Sequence, residues 1–371
     1  MPQYYKSRID GRDIDLEDLY IRKDLVLNRT ESFHWGSDVV SYGSSPTQMA
    51  ILNWKQVSLG GYQMHGIRAD GSLWGRGDNY YGGVGDNTTI NRSSPVQIGT
   101  STDWKTVASG WIIAGAIKTN GTLWTWGLGY QGALGNNTLA TQSSPVQVGS
   151  DTNWNKISMG RFGAAIKTDG TLWTWGPNLQ GGLGDNTTVS KSSPVQVGSD
   201  TNWKAVEVDW DLNLAAAIKT DGTLWAWGDN SYGGLGSGST SVYKSSPAQV
   251  AGTNWKQVSV DYYRVAATKT DGTLWSWGYN AFGMLGDNTT IHRSSPVQTV
   301  AGGTNWKKVR VGYNTLAHKF DGTIWSWGEN NLGYVGDNTT IRRSSPVQIT
   351  SESSWVDIEC RTGMNVIFKS T

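Results

Sequence analysis

Short runs of apolar residues interleaved with polar ones return along this chain, separated by Gly, Asn, Asp, Ser and Pro. In one copy the runs are Trp154-Asn155-Lys156-Ile157, Ala165-Ile166-Lys167-Thr168, Leu172-Trp173-Thr174-Trp175-Gly176 and Pro194-Val195-Gln196-Val197. Their richness in β-branched and aromatic residues, and the turn formers between them, predict four strands, lettered A to D. The tryptophans opening strand A are Trp54, Trp104, Trp154, Trp203, Trp255, Trp306 and Trp355, spaced 49 to 52 residues apart. That is the period of a four-stranded propeller blade. Between strands B and C stands Asp-Gly or Asn-Gly, as at Asp169-Gly170 and Asn120-Gly121. These pairs tolerate positive φ and suit a tight hairpin.

The last copy stops after its second strand, residues 364–371, while Phe33-His34-Trp35-Gly36 and Ser44-Ser45-Pro46-Thr47-Gln48 stand as an isolated third and fourth strand near the N-terminus. Pairing these halves predicts an all-β, seven-bladed propeller over residues 33–371, preceded by an arm of residues 1–32. Closure would remove the exposed edges that an open array leaves.

Trp175-Gly176, Asn178, Gly181, Leu183 and Gly184, with their counterparts in nearly every copy, resemble the repeat of the RCC1 family. The resemblance covers residues 33–371 and implies a seven-bladed β-propeller. Eukaryotic members of that family include a guanine-nucleotide exchange factor with a protruding hairpin and a basic tail. Here no copy departs from the period by more than a few residues, and the tail mixes acids with bases. Plant photoreceptor relatives carry a Gly-Trp-Arg-His-Thr motif that this sequence lacks. The Ser-Ser-Pro-Val-Gln and Gly-Asp-Asn-Thr-Thr versions are similar to prokaryotic and viral repeats.

Composition narrows the function classes. Net charge is +1 over 371 residues, so no global field draws the chain to nucleic acid or an acidic membrane. A lone Cys360 excludes an internal disulfide framework and a cysteine metal cluster. Met1-Pro2-Gln3-Tyr4-Tyr5-Lys6 lacks the apolar core of a signal peptide, which predicts folding in a cytoplasm. The histidines His34, His65, His292 and His318 are scattered, and no Gly-rich stretch leads into a helix. A non-enzyme without cofactor or metal is expected.

Of the 21 tryptophans, all but Trp111 and Trp210 occupy repeat positions and are expected to pack blade on blade. Those two fall in the loop between strands A and B, which varies most between copies. There Tyr62, Trp111, Phe162, Trp210, Tyr262, Tyr263 and Tyr313 are expected to ring the channel mouth, with Arg161 beside them. Two readings stand: a partner-contacting crown or a plug for the channel. Asp209 and Asp261 end strand A in copies four and five, and Arg361 does so in copy seven. The two carboxylates suit a cation or a basic side chain, but lack the further oxygen ligands of a metal motif. Arg310 and Glu359 hold equivalent places in adjacent copies and are expected to meet as an ion pair. The bases before each Ser-Ser-Pro (Arg92, Lys191, Lys244, Arg293, Arg342 and Arg343) read as protection of outer strands.

The arm interleaves Tyr4, Tyr5, Ile9, Ile14, Leu16, Leu19, Tyr20 and Ile21 with charge of both signs, which predicts docking on another surface. Its residues 5–20 resemble the opening of virion proteins from tailed bacteriophages. The expectation is a non-enzymatic structural or interaction protein, a bacteriophage virion component docked through its arm as an accessory, adhesion or fibre-associated module. Its partners would be other virion proteins or a host surface ligand, within an oligomeric assembly. The alternative is a cytoplasmic bacterial protein–protein interaction scaffold. Nucleic-acid binding and membrane insertion are not expected.

Overall fold

The computed structural model describes residues 30–37, 42–48, 54–210, 213–240 and 243–370. Strands make up the framework, with no α-helix among the described residues and one short 3-10 turn at Tyr130–Gly132. Six blades are continuous meanders of four consecutive antiparallel strands, and strand A opens each, starting at Trp54, Trp104, Trp154, Trp203, Trp255 and Trp306. The expected seven-bladed ring is corrected here: six blades, not seven, carry the full cassette. In them strands C and D are joined by a loop of 14 or 15 residues. The remaining sheet is a composite in the order Tyr42–Gln48, Thr30–Ser37, Met364–Ser370, Trp355–Arg361. Its C–D link, residues 38–41, is too short for that loop.

Strand A of each sheet lies innermost and packs beside strand A of its neighbours, that of the composite sheet lying between blades six and one. Seven apolar clusters fill the junctions between neighbouring sheets. Tryptophan dominates them because one indole buries a large apolar area while its N–H can still find a partner. Trp175 donates to the Ala133 carbonyl of the preceding blade at 3.1 Å, Trp227 to Gly182 at 2.8 Å, Trp277 to Gly234 and Trp327 to Met284 both at 2.9 Å. Blade one follows the composite sheet, which has no long loop to accept such a bond. There the position is Arg76.

Five of the six long loops are knotted by one asparagine, Asn79, Asn178, Asn230, Asn280 or Asn330; the loop of blade two has Gly129 in its place. Asn280 Nδ2 reaches Asp287 Oδ1 (3.2 Å) and the Thr289 and Ile291 carbonyls (3.1 Å each), while its Oδ1 accepts from Leu285 N at 2.9 Å. The B–C turn meets the next blade closely: Gly71 has φ +81°, and a Cβ there would lie 2.0 Å from the Thr102 carbonyl oxygen. Only glycine satisfies both demands. Two faces result. A–B and C–D loops share one, the loop face; Asp-Gly turns and D–A links share the other, the turn face.

Candidate functional site

Strand A runs from the turn face to the loop face, so its last residues set the loop-face end of the central channel. Neighbouring A–B loops are tied by backbone bonds, Gly61 N to Gly110 O (3.0 Å), Trp111 N to Gly160 O (3.2 Å) and Arg161 N to Asp209 O (3.3 Å). Arg361 closes this end from the composite sheet. Its guanidinium donates to the carbonyls of Ser109 and Met159 (3.0 Å each) and Val208 (2.9 Å), the ends of strand A in blades two, three and four. Beneath it lies a polar cavity of about 100 Å³ lined by Ser58, Ser158, Glu207, Arg310 and Glu359.

The Arg310–Glu359 pair forms as expected: Nε meets Oε2 at 3.0 Å and Nη2 meets Oε1 at 3.2 Å, while Nη1 reaches Glu207 at 3.3 Å. Burial opposes the Arg310 charge, but Glu359 and then Glu207 outweigh it and raise its pKa. Lys308 adds a contact to Glu359 at 3.0 Å.

Asp209 and Asp261 are not at the surface, which corrects the expected partner-contacting role of both. They are 0 % and 1 % exposed, because strand A ends inside the ring and the aromatic loops cover it. Asp209 Oδ2 accepts from Tyr263 N at 3.2 Å. Burial first, and the Asp209 carboxylate second, push Asp261 up to about 8, with Arg361 and Arg264 offsetting part of this. Arg264, directly across the hairpin from Asp261, is fully buried and donates to the Gly312 (2.5 Å) and Asn314 (2.8 Å) carbonyls. Two arginines stand beside the two carboxyl groups and Asp261 is mostly protonated at neutral pH, so the cation reading has no negative charge excess to rest on. Among the described residues no group of three or more His, Cys, Asp or Glu could hold a metal. Cys360 is buried, and burial raises its thiol pKa.

The aromatic loops divide between plug and crown. Trp210, 6 % exposed, crosses the mouth from blade four to meet Tyr62 of blade one and Trp111 of blade two edge-on, both at 6.4 Å. Gly61 lies against it; a Cβ there would stand 2.7 Å from the Trp210 ring. Phe162 is fully buried in the cluster between blades three and four. Trp210 and Phe162 are thus covered by the loops they were expected to decorate, and their contact role is corrected. Tyr62 is 48 % exposed, while Trp111, Arg161, Tyr262, Tyr263, Tyr313 and Arg361 are half-buried.

Tyr262 and Tyr263 both adopt the left-handed region, with φ of 50° and 59°. They form the two-residue turn between Asp261 and Arg264. Such φ values are uncommon for bulky residues and cost about 1 kcal/mol or more each. The turn feeds a continuous set of rings: Tyr262 to Tyr313 at 5.4 Å, Tyr263 to Tyr232 at 4.9 Å, Tyr232 to Tyr279 at 4.9 Å, and Tyr279 stacked on His292 at 5.0 Å. Tyr232 and Tyr279 belong to C–D loops, as do Tyr80 (71 % exposed), Tyr81, Tyr130, Leu179 and Phe282. Sequence reasoning passed over this outer crown, although the residues after each loop asparagine vary between copies as the A–B loops do.

The bases before Ser-Ser-Pro are mostly spoken for within their own blade. Arg92 meets Asp86 (2.5 Å), Arg293 meets Asp287 (2.8 Å), Arg343 meets Asp337 (2.6 Å), Lys191 meets Asp185 (3.5 Å) and Arg342 meets Glu329 (3.0 Å). The arm candidates Tyr4, Tyr5, Ile9, Ile14, Leu16, Leu19, Tyr20 and Ile21 lie outside the described residues.

The family profile of the regulator of chromosome condensation (RCC1) repeat matches residues 120–166, 169–212, 221–264, 271–317 and 321–363, more than half of the chain. The chain belongs to the RCC1 repeat family. Prp20p of Saccharomyces cerevisiae superposes with a TM-score of 0.82 at 19% identity, over 96% of this chain and 95% of that one. The yeast RCC1 (Prp20) in complex with Kap60 gives 0.83 at 18% identity over 100% and 95% of the two chains. Human WBSCR16 gives 0.79 at 18% identity over 92% and 99%. At these identities the likeness is one of fold. No curated protein sequence matches significantly. None of these matches shows a bacteriophage likeness of the arm.

Proposed function

We propose that this RCC1-repeat chain works as a non-enzymatic protein-interaction module that meets its partner with the loop face. The strained Tyr262-Tyr263 turn carries the reading. Backbone strain of this kind is retained where a side chain must be presented, and here it sets two half-exposed tyrosines among further aromatic rings. Rigid aromatics lose little entropy on binding and are over-represented among residues that dominate interface energies. Prp20p is described by its binding to Gsp1p and histones, and by its complex with Kap60, which supports protein partners as a class. Tyr62, Tyr80, Trp111, Tyr263 and Tyr313 would make the contacts, with Arg161 at the rim. The test is quantitative capture from a host lysate by the full chain and by Y62A/W111A/Y80A. A protein retained by the first and lost by the second, at equal melting temperature, supports the reading; identical captured sets would refute it.

The finer form of this reading is a bacteriophage virion component held through residues 1–32, with residues 33–371 as the displayed propeller. One observation favours it: Thr30 pairs with Ser370, so the chain enters the ring on the turn face, opposite the aromatic loops. Attachment and display then occupy different faces. Co-purification of particle proteins with the full chain, lost on removal of residues 1–30, tests it.

A further inference from the structure

The turn-face mouth of the channel carries a ring of lysines that no carboxylate among the described residues neutralises. In all seven sheets the pairing of strands A and B slips by one residue after the opening tryptophan. Such a bulge turns two successive side chains to the same side. Those positions hold Lys55, Lys105, Lys156, Lys204, Lys256 and Lys307. Each of several reaches to its neighbour at the same level: Lys105 Nζ to Asn155 Oδ1 (2.9 Å), Lys156 Nζ to the Lys204 carbonyl, and Lys307 Nζ to the Val356 carbonyl (3.1 Å). Among the described residues no carboxylate pairs with any of these six. Lys308 is different, being held by Asp357 and Glu359. Other acids of this face are engaged elsewhere: Asp103, Asp151, Asp200 and Glu352 pair with Lys118, Lys167, Lys219 and Lys369, and Asp169, Asp221, Asp271 and Asp321 bind their own turn threonines. Burial, and then Lys204, lower the pKa of Lys156, as expected where positive charge gathers without counter-charge.

We infer that this lysine-ringed mouth is the docking site of an extended acidic peptide, and that its occupant is the chain's own residues 10–18. That stretch holds Asp10, Asp13, Asp15, Glu17 and Asp18 against one base, Arg12. It leads to Thr30, which joins the composite sheet at its turn-face end. Residues 19–29 between them can span roughly 36 Å when extended. The route from strand C to strand A crosses about two strand spacings, on the order of 10 Å. Charge, attachment point and reach thus agree. The inference does not depend on the loop-face reading, since it concerns the opposite face.

Lysine acetylation rates on the full chain, followed residue by residue by mass spectrometry, test it. The comparison is with the full chain carrying D13N/D15N/E17Q/D18N, substitutions outside the ring that leave the described fold untouched. Lys105, Lys204 and Lys256 are expected to react about threefold or more slowly in the unsubstituted chain, with the difference lost at high salt. Lys244, on the outer rim, is expected to react equally in both. Equal rates at the mouth lysines would overturn the inference. So would protection that fades on dilution, because the occupant would then be the arm of a second copy.

Discussion

Replacing Arg361 with methionine keeps much of the side-chain volume and removes the fork that joins four sheets. Its guanidinium donates to carbonyls at the ends of strand A in blades two, three and four from its own place in the composite sheet. Hydrogen bonds from a charged donor contribute about 1.5–3 kcal/mol each. Three do not add fully, since water from the adjoining cavity can resatisfy part of the carbonyls. Asp261, pushed up to about 8, is mostly protonated at pH 7, so the loss of a neighbouring positive charge adds little there. The expected loss for R361M, carried by the three buried carbonyls, is therefore about 3–5 kcal/mol. R361K, with one ammonium in place of a fork, is expected to lose less, about 1–2 kcal/mol. Urea unfolding at pH 7, with the slope on denaturant unchanged, measures both. D261N/R361M is expected to match R361M within about 1 kcal/mol at pH 7, because Asp261 is already mostly protonated there. R361M within about 1 kcal/mol of the parent protein would refute the keystone role.

Three further expectations follow from the same interior. Asp261 titrates near 8 in the fold and near 3.9 unfolded, so the folded state holds the extra proton and stability falls by up to about 1.4 kcal/mol per pH unit between those values. His65 and His318 are held neutral, their pKa values lowered to about 4 chiefly by burial, so each adds a rise of similar size between about pH 4 and 6.5. These three groups together place a stability maximum near pH 6.5, and D261N should abolish the decline above it in urea titrations at pH 6.5 and 8. Y262N/Y263G should raise stability by about 1 kcal/mol by relieving the left-handed turn, while weakening partner capture by the loop face. D287A removes the acceptor of Thr289, Asn280 and Arg293 together, and chemical denaturation should show a loss of about 2–4 kcal/mol.

The framework was legible because each of its signals is local. Trp-Lys, Asp-Gly and Ser-Ser-Pro recur at one spacing, and the Arg310–Glu359 contact follows from equal positions in adjacent copies. The count of full blades was not, since residues 38–41 read as a turn like any other until the missing loop is compared with its 14-residue counterparts. Asp209 and Asp261 looked exposed because they stand where other copies have glycine; only the ring reveals that Trp210 lies over the mouth. Arg361 was marked only by its place at the end of strand A, where most copies have glycine, and nothing marked what it binds. Its partners lie 153 to 252 residues away and are backbone carbonyls, which no side-chain pattern marks. The partners of the peripheral bases were within reach: Asp86, Asp185, Asp287 and Asp337 each stand six residues before their base, and the copy with Asn136 carries Gln142 instead.

The indole bonds between blades bear on how such a ring can be inherited. A cassette brings both a tryptophan that donates backwards and a loop that accepts from the cassette after it, so a duplicated copy inserted between two others completes both of its own junctions. The composite sheet breaks that rule. It offers no long loop to blade one, and blade one answers with Arg76 in place of the donor. For these bonds, recombination among copies is therefore silent along the array except at this seam, where a cassette moved in from elsewhere would carry a buried indole N–H with no carbonyl to meet it.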